Sequence, residues 1–88
     1  MLNLKKIRRQ FPSLSRKDNE GNKIIYLDGP AGTQVPDVVI EGISSYYKSS
    51  NSNIHGEFIT SIETDKIMDS MREKASIFLG AENKNCIS

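Results

Sequence analysis

Four residues constrain this chain more than any others. Ile24-Ile25-Tyr26-Leu27 is its clearest β-branched and aromatic run, and it reads as a short strand over 24–27. The other strongly periodic segments read as helix. A lone strand leaves its backbone edges unpaired, and even a two-stranded pair is marginal by itself. At 88 residues the chain is also too short for a barrel or a full doubly wound sheet, which need roughly 200 residues or more. The expected class is therefore an α/β fragment, mostly helical with one or two short strands. It reads as the front end of a larger α/β protein. A self-sufficient helical domain is the competing reading.

The helical segments follow from apolar spacing. Leu4, Ile7 and Phe11 recur every three or four residues among Lys5, Lys6, Arg8 and Arg9. That predicts a short basic helix over 4–11, stopped by Pro12. Asp18-Asn19-Glu20-Gly21-Asn22 reads as a turn. After the strand, Asp28-Gly29-Pro30-Ala31-Gly32-Thr33 is a tight loop of small residues. Pro36, Asp37 and Glu41 suit a helix start, and Val39, Ile43, Tyr46 and Tyr47 place one apolar face on a helix over about 36–48. A Ser/Asn-rich break follows from Lys48 to Asn53. Thr60 with Glu63 forms a capping-box pattern, and Met68, Met71, Ala75, Phe78 and Leu79 make the apolar stripe of a helix over 61–79. Gly80 is its natural stop. Asn85 to Ser88 reads as the beginning of another strand.

Composition narrows the function classes. Leu, Ile, Val and Phe make up 25% of the residues, above the roughly 20% that separates folding chains from disordered ones. The net charge of +1 argues against a general nucleic-acid binder. Charge is uneven, with seven Lys or Arg against two acids in residues 1–23. The plainest account of that excess is a solvated helix face; contact with an acidic partner or a membrane surface is the sharper one. No run approaches the roughly 18 apolar residues of a membrane span, and the first residues lack the apolar stretch of a secretory signal. The single cysteine, Cys86, excludes an intrachain disulfide and fits a reducing, cytoplasmic setting.

Three features invite a chemical reading. The Gly29–Thr33 loop could offer backbone N–H groups to an anion, although it matches neither a Walker A loop nor GxGxxG, and a plain tight turn also needs small residues. His55, the only histidine, lies in a polar loop ahead of a helix, where it is either an ordinary surface residue or a general base. With no second histidine and one distant cysteine, a metal site has little support. Cys86 has nothing nearby in sequence to activate it.

Together these segments resemble a known family. Phe11-Pro12, then Ile25-Tyr26-Leu27-Asp28-Gly29-Pro30-Ala31-Gly32-Thr33-Gln34-Val35-Pro36, look like the start of a class V aminotransferase. Asn53-Ile54-His55-Gly56 and the helix start containing Ser61 resemble the next block, and Met71-Arg72-Glu73-Lys74-Ala75 and Phe78-Leu79-Gly80-Ala81 the helix after it. The cysteine desulfurase-like branch is the most similar. The resemblance runs from Arg9 to Ser88. It implies the N-terminal part of a much larger fold-type-I enzyme that depends on pyridoxal 5′-phosphate, acts on a small amino acid and is usually a homodimer.

The resemblance implies that Ala31, Gly32 and Thr33 reach the substrate end of the active site. It implies that Asn53 and His55 approach that site from a neighbouring subunit. No catalytic residue is expected within these residues. Desulfurases commonly carry Asn-x-His-Arg, and Gly56 stands where the Arg would be, which puts cysteine as the substrate in question. Gly29-Pro30 replaces the more usual Asn-Ala, and Cys86 does not match the family's persulfide cysteine. The family's phosphate-binding turn, pyridine-pairing Asp and Schiff-base Lys are expected beyond Ser88. The expected partner is the rest of the parent chain, with no nucleic acid and no membrane. The alternative reading is a truncated, non-enzymatic helical interaction module.

Overall fold

A computed structural model describes all residues from Met1 to Ser88. They form two compact units, Met1–Ser44 and Ser45–Ser88.

In the first unit, helix α1 spans Leu4–Arg8, and the Asn3 side chain caps it by accepting from the Lys6 N–H at 3.0 Å. The basic helix expected over 4–11 thus ends earlier. Pro12 disfavours helical geometry in the residue before it, and Phe11 is extended (φ −112°, ψ 100°). The chain tightens through Gln10 and Phe11, whose N–H groups bond three residues back, to Ile7 and Arg8. Pro12–Ser15 then forms one 3-10 turn.

The expected turn centres on Asp18. Its carboxylate accepts from the Glu20 and Asn22 N–H groups, both at 2.9 Å, and Gly21 takes a positive φ of 85°. The same N–H groups, Asn22 first, hold the Asp18 carboxyl below its ordinary value of 3.8, against a smaller upward pull from burial. The turn brings Lys17 opposite Lys23 in a single antiparallel bridge.

The strand expected over 24–27 does not form. Ile24 and Tyr26 are half-buried while Ile25 and Leu27 are 79% and 91% exposed, so the alternation of a strand is there. What is lacking is a ladder. The Ile24 N–H reaches the Arg16 carbonyl at 3.2 Å, and no second β-run pairs with 24–27. The structure is therefore mostly helical with no strand, and the α/β expectation is corrected for these residues. The strand expected from Asn85 is likewise absent; Lys84–Cys86 is a 3-10 turn capped by the Asn83 side chain.

Helix α2 spans Asp37–Ser49. Pro36 precedes it and supplies the first carbonyl, which accepts from Val39 and Ile40. The Asp37 N–H donates to the Gln10 carbonyl at 2.7 Å, which ties the start of α2 to the end of the α1 segment.

In the second unit, α3 spans Ile59–Leu79. It starts two residues before the expected 61, and the capping box is not made. Phe58 is the N-cap residue, without a side-chain bond. Thr60 lies inside the helix, and Glu63 accepts from the Ser50 hydroxyl at 3.0 Å instead. The helix ends where Gly80 turns left-handed (φ 67°), with Ala81 N–H to Ser76 and Gly80 N–H to Ile77, a Schellman stop. Lys84 folds back on α3, its ammonium 2.7 and 2.8 Å from the Asp69 carboxylate oxygens. No helix is long and apolar enough to cross a membrane.

Candidate functional site

The residues singled out by sequence fall into two groups, one in each unit. Ala31, Gly32 and Thr33 lie in the first. Gly29–Ala31 makes a 3-10 turn, closed by Ala31 N–H to the Asp28 carbonyl at 2.8 Å and Gly32 N–H to the Gly29 carbonyl at 3.1 Å. All three candidates are exposed. Their loop borders an apolar cavity of about 300 Å³ that Ile7, Phe11, Leu14 and Tyr26 also line. The Tyr26 hydroxyl donates to the Ser13 carbonyl at 3.2 Å and holds that wall in place. A Cβ added at Gly32 would meet nothing within 4 Å, so the loop leaves open space above its backbone.

Asn53 and His55 lie in the second unit, on the loop between α2 and α3. Hydroxyl groups anchor this loop at both ends. Thr64, buried on the first turns of α3, has its hydroxyl 3.0 Å from the Ser50 carbonyl and 3.4 Å from the Tyr46 phenol. That phenol spans Ser52, donating to its carbonyl at 3.2 Å and accepting from its N–H at 3.3 Å. The Thr64 hydroxyl first, and the Ser52 N–H second, draw the Tyr46 phenol below its ordinary value. Ser61 is fully buried; its hydroxyl donates to the Asn53 carbonyl at 2.9 Å and accepts from the Gly56 N–H at 2.7 Å.

Between these anchors sits His55. It is the only non-glycine residue with positive φ, 65°. A left-handed L-residue costs about 1–2 kcal/mol unless its surroundings stabilise it. Asp65, one turn beyond Ser61 on α3, does so. Both carboxylate oxygens lie 3.1 Å from the His55 N–H, and Oδ1 lies 3.4 Å from the ring Nδ1. The imidazole remains 80% exposed beside a cleft that Met68, Asp69 and Arg72 also line. The loop backbone is thus tied to α3 on both sides of His55, while the imidazole stays open to solvent.

Gly56 has a packing reason to be glycine. A Cβ there would lie 2.6 Å from the Phe58 ring and 2.8 Å from the Ser61 hydroxyl. Any side chain at this position would require the Phe58 ring and the Ser61 side chain to shift. Asp65, Ser61 and Tyr46 are the residues whose part in the site the sequence reading missed. Asp65 reads as one more charge on a solvated helix face. Only a left-handed residue at 55, which no residue pattern announces, turns the amide toward it.

The lysines give a direct test of imine chemistry. Seven of the eight are exposed, and Lys84 is paired with Asp69, which raises its pKa above the ordinary 10.5. An imine lysine needs a desolvated, easily deprotonated amine. Within these residues none of the eight has such surroundings.

Residues 25–87 match the family described as aminotransferase class-V. A probable cysteine desulfurase of Vibrio cholerae is 43% identical over 99% of this chain and 22% of its own length. One of Streptomyces coelicolor is 33% identical over 97% of this chain and 21% of its own. A cysteine desulfurase of Escherichia coli is 35% identical over 89% of this chain and 19% of its own. The chain belongs to the class V aminotransferase family, and it spans about a fifth of the length of these relatives. The family generally uses pyridoxal phosphate, is generally dimeric and acts on amino acids. The matches support the enzyme reading and give no support to a stand-alone interaction module.

Proposed function

We propose that these 88 residues are the N-terminal part of a pyridoxal-phosphate-dependent, cysteine desulfurase-like or aminotransferase enzyme. In this reading Ala31, Gly32 and Thr33 form the substrate-side loop, and Asn53 and His55 reach the active site of the neighbouring subunit in a cytoplasmic homodimer. The rest of the parent chain is the principal partner and supplies the cofactor's lysine. Neither nucleic acid nor a membrane takes part. Held by the rest of the parent chain, pyridoxal phosphate would supply the electron sink for chemistry at the amino acid's α-carbon.

One observation carries the reading. The Asn53–Gly56 backbone is clamped to α3 by Ser61 and Asp65, while the His55 ring stays open. A polar side chain fixed at its base and free at its tip suits a substrate that another part of the assembly delivers. The small residues of the 31–33 loop suit close backbone approach. The complete gene product, reconstituted with pyridoxal phosphate, is tested on L-cysteine, the substrate that Gly56 puts in question; turnover supports the desulfurase arm of the reading, and His55→Ala is expected to slow it. An enzyme that consumes other amino acids but not L-cysteine would overturn the desulfurase assignment and leave the family membership standing.

A further inference from the structure

We propose that Asp65 is the positioning residue for His55, fixing the backbone from which its imidazole reaches substrate; this rests on the reading of His55 as substrate-proximal. Three observations converge on it. His55 holds a left-handed backbone that its side chain disfavours. Its N–H lies 3.1 Å from each oxygen of one carboxylate, a charge-assisted contact. The next N–H, that of Gly56, is taken by Ser61 on the preceding turn of the same helix, so consecutive peptide groups are pinned to α3.

The carboxylate also faces the ring. Oδ1 lies 3.4 Å from the ring Nδ1, so the same carboxylate borders both the backbone and the side chain of His55. The side chain of Asp65 is itself 35% exposed, and the histidine ring 80%, so an isolated surface ion pair would contribute little. The role assigned to Asp65 is therefore geometric. It selects one backbone state before substrate arrives.

The test uses the complete gene product as holoenzyme, with Asp65→Asn, Asp65→Ala, His55→Ala and the Asp65→Ala/His55→Ala double variant. Hydrogen exchange over residues 53–58 reads the backbone without reference to activity. Asp65→Ala is expected to speed exchange at the His55 amide, and Asp65→Asn, which keeps an acceptor oxygen, to speed it less. In L-cysteine turnover Asp65→Ala is expected to lower kcat by about tenfold or more with KM little changed, because misplacing a group that orients substrate costs rate. Asp65→Asn is expected to recover part of that loss. The double variant is expected to be no slower than His55→Ala. Unchanged exchange in Asp65→Ala overturns the proposal. So does a double variant that loses the product of both single effects, which is the mark of two residues acting independently. A slow His55→Ala beside a normal Asp65→Ala overturns the proposal alone, whereas a normal His55→Ala overturns the substrate-proximal reading together with it.

Discussion

Gly56 shows how one position links packing to chemistry. Its missing side chain is the space that the Ser61 hydroxyl and the Phe58 ring occupy, and the Ser61 hydroxyl is what fixes the loop carrying Asn53 and His55. Gly56→Ala is therefore expected to destabilise the holoenzyme by about 1–3 kcal/mol through overpacking. Denaturant unfolding measures this, and an unchanged midpoint would show that the loop yields freely. The sequence displayed His55 as its only histidine, in a polar loop, while Asn53 entered through the family resemblance and Gly56 as a departure from it. It did not display Asp65, which lies ten residues on and reaches His55 only because the backbone there is left-handed. Ser61 and Thr64 were hidden for a related reason. A hydroxyl near a helix start reads as a cap, whereas these two turn inward and bond the loop instead.

At the scale of elements, local signals and non-local ones part company. The Asp18 turn is local, since its bonds run only two and four residues ahead. The chain stop at Gly80 is local too. The strand over 24–27 is not, because a strand is completed by a partner, and the alternation of Ile24 to Leu27 says nothing about where that partner comes from. The start of α1's exit is local again, set by Pro12 acting on Phe11. The Asp18 turn gives a pH prediction with a definite sign. Its carboxyl is held below the ordinary value, so its contribution is complete above that value and lost as pH falls through the lowered one. Following the Glu20 and Asn22 amide shifts by NMR is expected to give a midpoint below 3.8. A midpoint at or above 3.8 would mean that these amides do not bond the ionised form.

For the whole molecule, the informative fact is what the chain buries. Its buried side chains are Ser61, Thr64 and Ser76, all hydroxyls, and no apolar side chain joins them. Ile25, Leu27, Val38, Ile77 and Phe78 are 73–91% exposed. The stripe of α3 is divided, with Met68 and Ala75 half-buried and Met71, Phe78 and Leu79 exposed. Folding is driven chiefly by apolar burial, at about 25 cal/mol per Å², and here that contribution is largely unrealised. The 88 residues expressed alone are therefore expected to melt without a cooperative transition and to bind a hydrophobic dye. A sharp calorimetric transition would show a stability that these contacts do not explain.

The same scale carries the central claim, that these residues serve an active site whose cofactor is anchored elsewhere in a longer enzyme. Borohydride reduction of the complete gene product with pyridoxal phosphate, followed by peptide mapping, tests it most directly. The account predicts one pyridoxyl-lysine, outside residues 1–88. Label on any of Lys5, Lys6, Lys17, Lys23, Lys48, Lys66, Lys74 or Lys84, or no label at all, would contradict it.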